Sequence, residues 1–126
     1  AAFLYPDGSL RIAAWQLYGS LFFGAVNKLE ELLDPRAGHP EVVILDMQRL
    51  IQLDTTGLEG LENLLDKLRK RGCTLVICGL NSQPGSLLYR SGFIDHLGDD
   101  NVCQTFDQAL QHARSKLPNL MMEDAY

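Results

Sequence analysis

Cysteine, histidine and positive charge are all scarce in this sequence, and each shortage removes a class of function. The three cysteines, Cys73, Cys78 and Cys103, are odd in number and lack the spacing of metal ligands. That excludes a small disulfide-stapled fold, and small buried apolar thiols in a reducing setting are the simplest account. Of the three histidines, His39 precedes Pro40 in a loop, His96 lies in an acid-rich loop and His112 falls in the last helical stretch. None has a nearby partner in the sequence that would make a catalytic triad or a metal site. His96 has Asp95, Asp99 and Asp100 around it, a pattern more common in solvated loops than in cation sites.

Eleven basic residues against sixteen acidic ones leave a net charge of -5, which excludes a nucleic-acid partner. Long apolar runs are missing as well. The longest uncharged stretch, residues 12–27, is broken by Gln16, Gly19, Ser20 and Asn27 and falls short of the ~20 residues a membrane span needs. Gly57 and Gly60 lack the lysine and spacing of a phosphate-binding loop, and no serine sits in a G-x-S-x-G elbow. With no nucleophile–base pair in view, no catalytic residue is assigned and no enzyme is expected.

What is present fits one domain of 126 residues, 46% hydrophobic and 21% charged. The chain begins at Ala1 without a methionine, as a piece excised from a larger protein would. Residues 2–5 and 9–18 read as two strands joined by the turn residues Pro6, Asp7 and Gly8, hence a hairpin. Phe22, Val26, Leu29, Leu32 and Leu33 have helical spacing over residues 22–33, and a Pro/Gly-rich loop follows to Pro40.

Glu41–Asp46 and Cys73–Cys78 are continuous apolar runs of the kind buried on both faces of a parallel sheet. Between them Leu58, Leu61, Leu64, Leu65 and Leu68 stripe a helix over residues 56–71, closed by Gly72. Strand, helix and strand predict a right-handed βαβ unit. A loop over Asn81–Gly85, a short helix over residues 86–90 stopped by Ser91 and Gly92, an edge strand at Val102–Cys103 and a helix over residues 106–116 complete the pattern. The fold class is therefore α/β: a mixed central sheet, hairpin plus parallel βαβ strands, with about four helices packed on it. A core of about residues 8–116 leaves 117–126 as a flexible tail.

The stretch Leu53–Glu59 is the most informative. A strand gives way to a helix there, with Asp54, Thr55 and Thr56 crowded into the turn. Thr56 and Glu59 have capping-box spacing, which assigns the helix cap to that pair. One cap suffices, so Thr55 is left over as a side chain projecting beyond the strand's carboxyl end, where α/β sheets meet ligands. A phosphate on Thr55 would add about -1.5 to -2 charges beside Asp54. Asp54, Thr55, Thr56, Gly57 and Leu58 together form the candidate turn for a partner or nucleotide.

The run VILDMQRLIQLDTTGLEGL at residues 43–61 resembles the core of a STAS domain, the family named for sulfate transporters and anti-sigma factor antagonists. The Asp-Thr-Thr-Gly-Leu helix start at 54–58, the strand GCTLVICG at 72–79 and RSGF at 90–93 match the family's pattern. YGSLFFGA at 18–25 resembles the segment typical of STAS domains attached to SulP anion permeases, as does LNSQP at 80–84.

The resemblance implies a non-catalytic, cytoplasmic, C-terminal module of a transporter for sulfate or a related anion. Such a module regulates transport and contacts the transporter's own membrane domain and cytosolic regulatory proteins. It implies weak purine-nucleotide binding as the one candidate ligand, placed at Asp54–Gly57; the spacing of the histidines and cysteines suggests no metal site. Thr55 matches the position phosphorylated in anti-sigma factor antagonists. The alternative is thus a free-standing antagonist or stressosome-type signalling protein switched at Thr55.

Overall fold

The computed structural model describes residues 2–4, 10–19 and 41–116. The expected turn at Pro6–Gly8, the helix over 22–33, the loop carrying His39 and the tail 117–126 lie outside the described residues.

Among the described residues five strands form one sheet in sequential order: β1 (Ala2–Leu4), β2 (Leu10–Gly19), β3 (Val42–Leu50), β4 (Thr74–Cys78) and β5 (Val102–Cys103). β1 runs antiparallel to β2, with Phe3 opposite Ile12, as the hairpin reading requires. β2 to β5 are parallel, so the sheet is mixed. The described helices are α1 (Thr55–Lys70), α2 (Ser82–Arg90), α3 (Phe93–Leu97) and α4 (Phe106–Ser115), with a 3₁₀ turn at Asp99–Asn101.

The apolar runs of β3 and β4 are apolar because both faces of the sheet are covered. Val43, Leu45, Met47, Leu75 and Ile77 point into a large cluster with the leucine stripe of α1 and with Leu88, Phe93, Ile94 and Leu97. Val42, Ile44, Val76 and Cys78 point the other way, onto Ala109 and Ala113 of α4. Each fully buried leucine contributes about 1.5–3 kcal/mol of transfer free energy, so α1 is held by its stripe rather than by helix propensity.

α1 ends as its glycine predicts. Gly72 takes φ +74°, the Cys73 amide donates to the Leu68 carbonyl at 2.8 Å and the Gly72 amide to the Arg69 carbonyl at 3.1 Å. This is the paired hydrogen-bond pattern of a Schellman ending.

Two boundaries and one whole element differ from the sequence expectations by more than one residue. β3 runs four residues beyond Asp46, because its register against β2 slips between Gln16 and Tyr18. That bulge breaks the alternation at the exposed Gln48 and Arg49, then returns Leu50 to the α1 side. α2 starts at Ser82 and not at 86, with Pro84 in its first turn, where an amide would have no helical partner anyway. α3 stands where the sequence around His96 reads as loop. It follows Gly92 at φ +87° and buries Phe93, Ile94 and Leu97, a pattern too short to show periodicity.

Candidate functional site

The carboxyl ends of the parallel strands carry the turn that the sequence singles out. Leu53, only 1% exposed, anchors it in the core, while Ile51 just before it is 64% exposed. Asp54 is extended, at φ -97° and ψ -179°, and its carboxylate Oδ1 accepts the Gly57 amide at 2.8 Å. The Leu58 amide bonds the Asp54 carbonyl at 2.9 Å, closing the first turn of α1.

Asp54 is therefore the helix cap, and the assignment of the cap to Thr56 with Glu59 is corrected. Aspartate is the stronger cap of the two, and the buried Leu53 fixes the chain's entry so that the helix begins at Thr55. Thr55, Thr56 and Glu59 are exposed, whereas Gly57 and Leu58 are buried against the core. Of the expected recognition residues, only Asp54, Thr55 and Thr56 reach the surface together. Replacing Asp54 with alanine should lower stability by about 1 kcal/mol. Thr56→Ala should change it by less than about 0.5 kcal/mol. Urea unfolding of both variants distinguishes the caps, and a larger loss at Thr56 would reject this assignment.

Two amide side chains that the sequence placed in a loop hold the turn rigid. Gln83, in the first turn of α2, accepts the Leu53 amide at 2.7 Å and donates to the Leu53 carbonyl at 2.9 Å. It thereby imitates a neighbouring strand. Asn81, at the N-cap of α2, donates to the carbonyls of Gln48 at 2.8 Å and Leu50 at 2.9 Å. Their partners lie about thirty residues away in the chain. Pro84 was the available clue that a helix starts here.

Two open clefts flank this edge. One of about 700 Å³ lies between Gln48, Arg49, Ile51 and Gln52 on one side and Asn81, Ser82 and Gln83 on the other. A second of about 840 Å³ is bounded by the start of α2, Tyr89, Asp99 and the strand β5 with Cys103. Tyr89 and Ile51 are exposed large apolar side chains. The guanidinium of Arg69 donates to the His96 carbonyl, tying α1 to α3.

The titratable groups with displaced pKa values lie on or beside the sheet. Burial pushes the Cys73 thiol up, opposed by Arg71 and reinforced by Glu41. The Cys78 thiol is pushed up to about 12 by burial, then by the Asp46 charge. Cys103 is raised by burial alone. His112 bonds Asn101 Oδ1 through Nε2 at 2.9 Å. Burial and Lys116 lower its pKa against the pull of Asp100. Among the described residues no group of three or more His, Cys, Asp or Glu is placed to hold a metal ion, the loop around His96 included. Nor is any described helix long and apolar enough to cross a membrane.

Comparison with known proteins agrees with this architecture. The STAS domain family model matches residues 8–109. The YvdB protein of Bacillus subtilis is 30% identical over 98 residues, 77% of this chain and 18% of its own length. Sulfate transporter 1.2 of Arabidopsis thaliana is 34% identical over 83 residues, covering 63% of this chain and 12% of that protein. The chain thus spans less than a fifth of the curated relatives it matches. The solved STAS domain of a SulP transporter from Vibrio cholerae superposes with a TM-score of 0.79 at 28% identity, covering 88% of both chains. With fold, turn and family pattern in agreement, the chain belongs to the STAS domain family and resembles the STAS domains of SulP sulfate transporters.

Proposed function

We propose that this domain is the non-catalytic, cytoplasmic regulatory module of a SulP-type transporter for sulfate or a related anion. It acts by contacting the transporter's membrane domain or a cytosolic regulatory protein through the sheet edge around Ile51 and Thr55. The observation that carries this reading is an exposed apolar side chain set on a hydrogen-bonded frame. Ile51 is 64% exposed, yet the backbone on either side is fixed by Asn81 and Gln83. Large apolar groups held out in water on an ordered frame suit a contact surface, because little entropy is lost when they are covered.

A purine nucleotide at Asp54–Gly57 has less in its favour. The Gly57 amide is already taken by Asp54, whose carboxylate stands where a phosphate would need to lie. A free-standing antagonist switched at Thr55 retains one supporting feature, the exposure of that hydroxyl at the first helical position. The transporter relatives weigh against it.

The test is anion uptake by the full-length gene product in a host lacking its own sulfate uptake. Ile51→Asp should reduce uptake several-fold while leaving the unfolding midpoint of the domain unchanged, as expected for an exposed position. Normal uptake by the variant would remove the contact role from this edge. A gene without a multi-span region outside this domain would remove the transporter assignment.

A further inference from the structure

A row of paired residues crosses the sheet on the face that carries α4. In register from β2 to β5 it reads Gln16, Asp46, Cys78 and Cys103. Gln16 Nε2 donates to Asp46 Oδ2 at 3.4 Å, and Asp46 Oδ1 accepts the Gln48 amide at 3.0 Å. The next residue along the row is Cys78, the registered neighbour of Asp46, and the Asp46 charge adds to burial in raising its thiol pKa. Cys78 is fully buried among the residues under α4, and Cys103 packs on the same cluster from the half-buried edge strand. Cys73 is buried in the cluster on the opposite side of the sheet. None of the three is in a disulfide.

We propose that Cys78 and Cys103 are a hydroperoxide-responsive thiol pair in which Cys103 is the attacking sulfur, Cys78 the resolving one and Asp46 the proton acceptor. Registered neighbours in a sheet stand about 4.8 Å apart, inside the Cα range that a disulfide tolerates. Their Cβ atoms must close by about 1 Å to reach disulfide spacing. β5 can supply that movement, being a two-residue edge strand between a 3₁₀ turn and the start of α4.

Accessibility sets the order of events. Cys103 lines the open 840 Å³ cleft, whereas Cys78 is 0% exposed. The Cys103 thiol gives its proton to solvent in the cleft, and the thiolate attacks a hydroperoxide oxygen. The O–O bond breaks, Cys103 becomes a sulfenic acid, and the departing oxygen takes a proton from that solvent to leave as water or an alcohol. Cys78 sulfur then attacks the sulfenic sulfur as its proton passes to Asp46. The S–O bond breaks and hydroxide leaves, taking up that proton as water. Two electrons have moved from the sulfurs to the peroxide, and a disulfide joins β4 to β5. The high thiol pKa values make both steps slow without a local base, which is why Asp46 has a place in the second. The product pulls one wall of the cleft inward, and the strain of that closure keeps the disulfide easy to reduce.

The experiment treats the 126-residue chain with stoichiometric hydrogen peroxide. The chain is then alkylated under denaturing conditions, and its peptides are mapped by mass spectrometry. The expected result is one alkylated cysteine, Cys73, with a Cys78–Cys103 crosslinked peptide lighter by two hydrogen atoms and restored by dithiothreitol. Cys103→Ser should leave Cys78 fully alkylatable. Asp46→Asn should slow crosslinking several-fold and let a dimedone adduct build up on Cys103. Three alkylated cysteines after peroxide, a sulfinic acid on Cys103 beside reduced Cys78, or a crosslink between two molecules would each overturn the proposal. An unchanged crosslinking rate in Asp46→Asn would remove Asp46 from it.

Discussion

Replacing Gly79 with alanine is expected to destabilise the domain by roughly 2–4 kcal/mol, whereas the same change at Gly72 should cost only about 1 kcal/mol. Both glycines have positive φ, +71° and +74°, so an alanine at either position takes on the strain of a side chain in the left-handed region. Only Gly79 has no room. A Cβ there would meet the Cβ and backbone nitrogen of Gln48 at 3.1 Å and its Cα at 3.2 Å, whereas at Gly72 nothing lies within 4 Å. The Gln48 backbone cannot retreat easily, since its carbonyl takes the amide of Asn81, two residues after Gly79. Urea unfolding should give midpoints that separate the two variants at an unchanged m value. Equal losses would show that the approach to Gln48 has no energetic weight.

Leu64→Ala should cost about 3 kcal/mol, within the roughly 2–5 kcal/mol range for buried leucines. Leu64 is 0% exposed and sits between α1 and the inward residues of β3 and β4. The surrounding residues come from a sheet and several helices, so the site cannot collapse by moving one element alone. A loss below about 1 kcal/mol would mean that α1 closes over the gap, and that the stripe is less tightly packed than its burial indicates.

Much of the fold was legible because it rests on period and punctuation. The leucine spacing of α1, the two-sided apolar runs of β3 and β4, and Gly72 each express a local rule that the tertiary structure had no reason to override. The end of β3 was not legible, since a bulge at Gln48 removes the alternation by which a strand is recognised. α3 was hidden for a similar reason: it is five residues long, and its apolar side chains are ordered by packing under α1 rather than by repeat.

The candidate turn divides along the same line. That Asp54, Thr55 and Thr56 would crowd a strand-to-helix junction was written in the residues themselves, and so was the family resemblance. Which of them caps the helix was decided by tertiary structure. Two caps were chemically available within one turn, and the buried Leu53, clamped by Gln83, chose Asp54 by setting where the chain enters α1. The alignment of Asp46, Cys78 and Cys103 across three strands is likewise a product of register, because pairing between strands depends on contacts tens of residues apart. Local chemistry along this chain determined its longer elements, while packing set the end of β3, the start of α2 and the whole of α3. Long-range packing alone determined which side chains meet, and therefore which of them can act together.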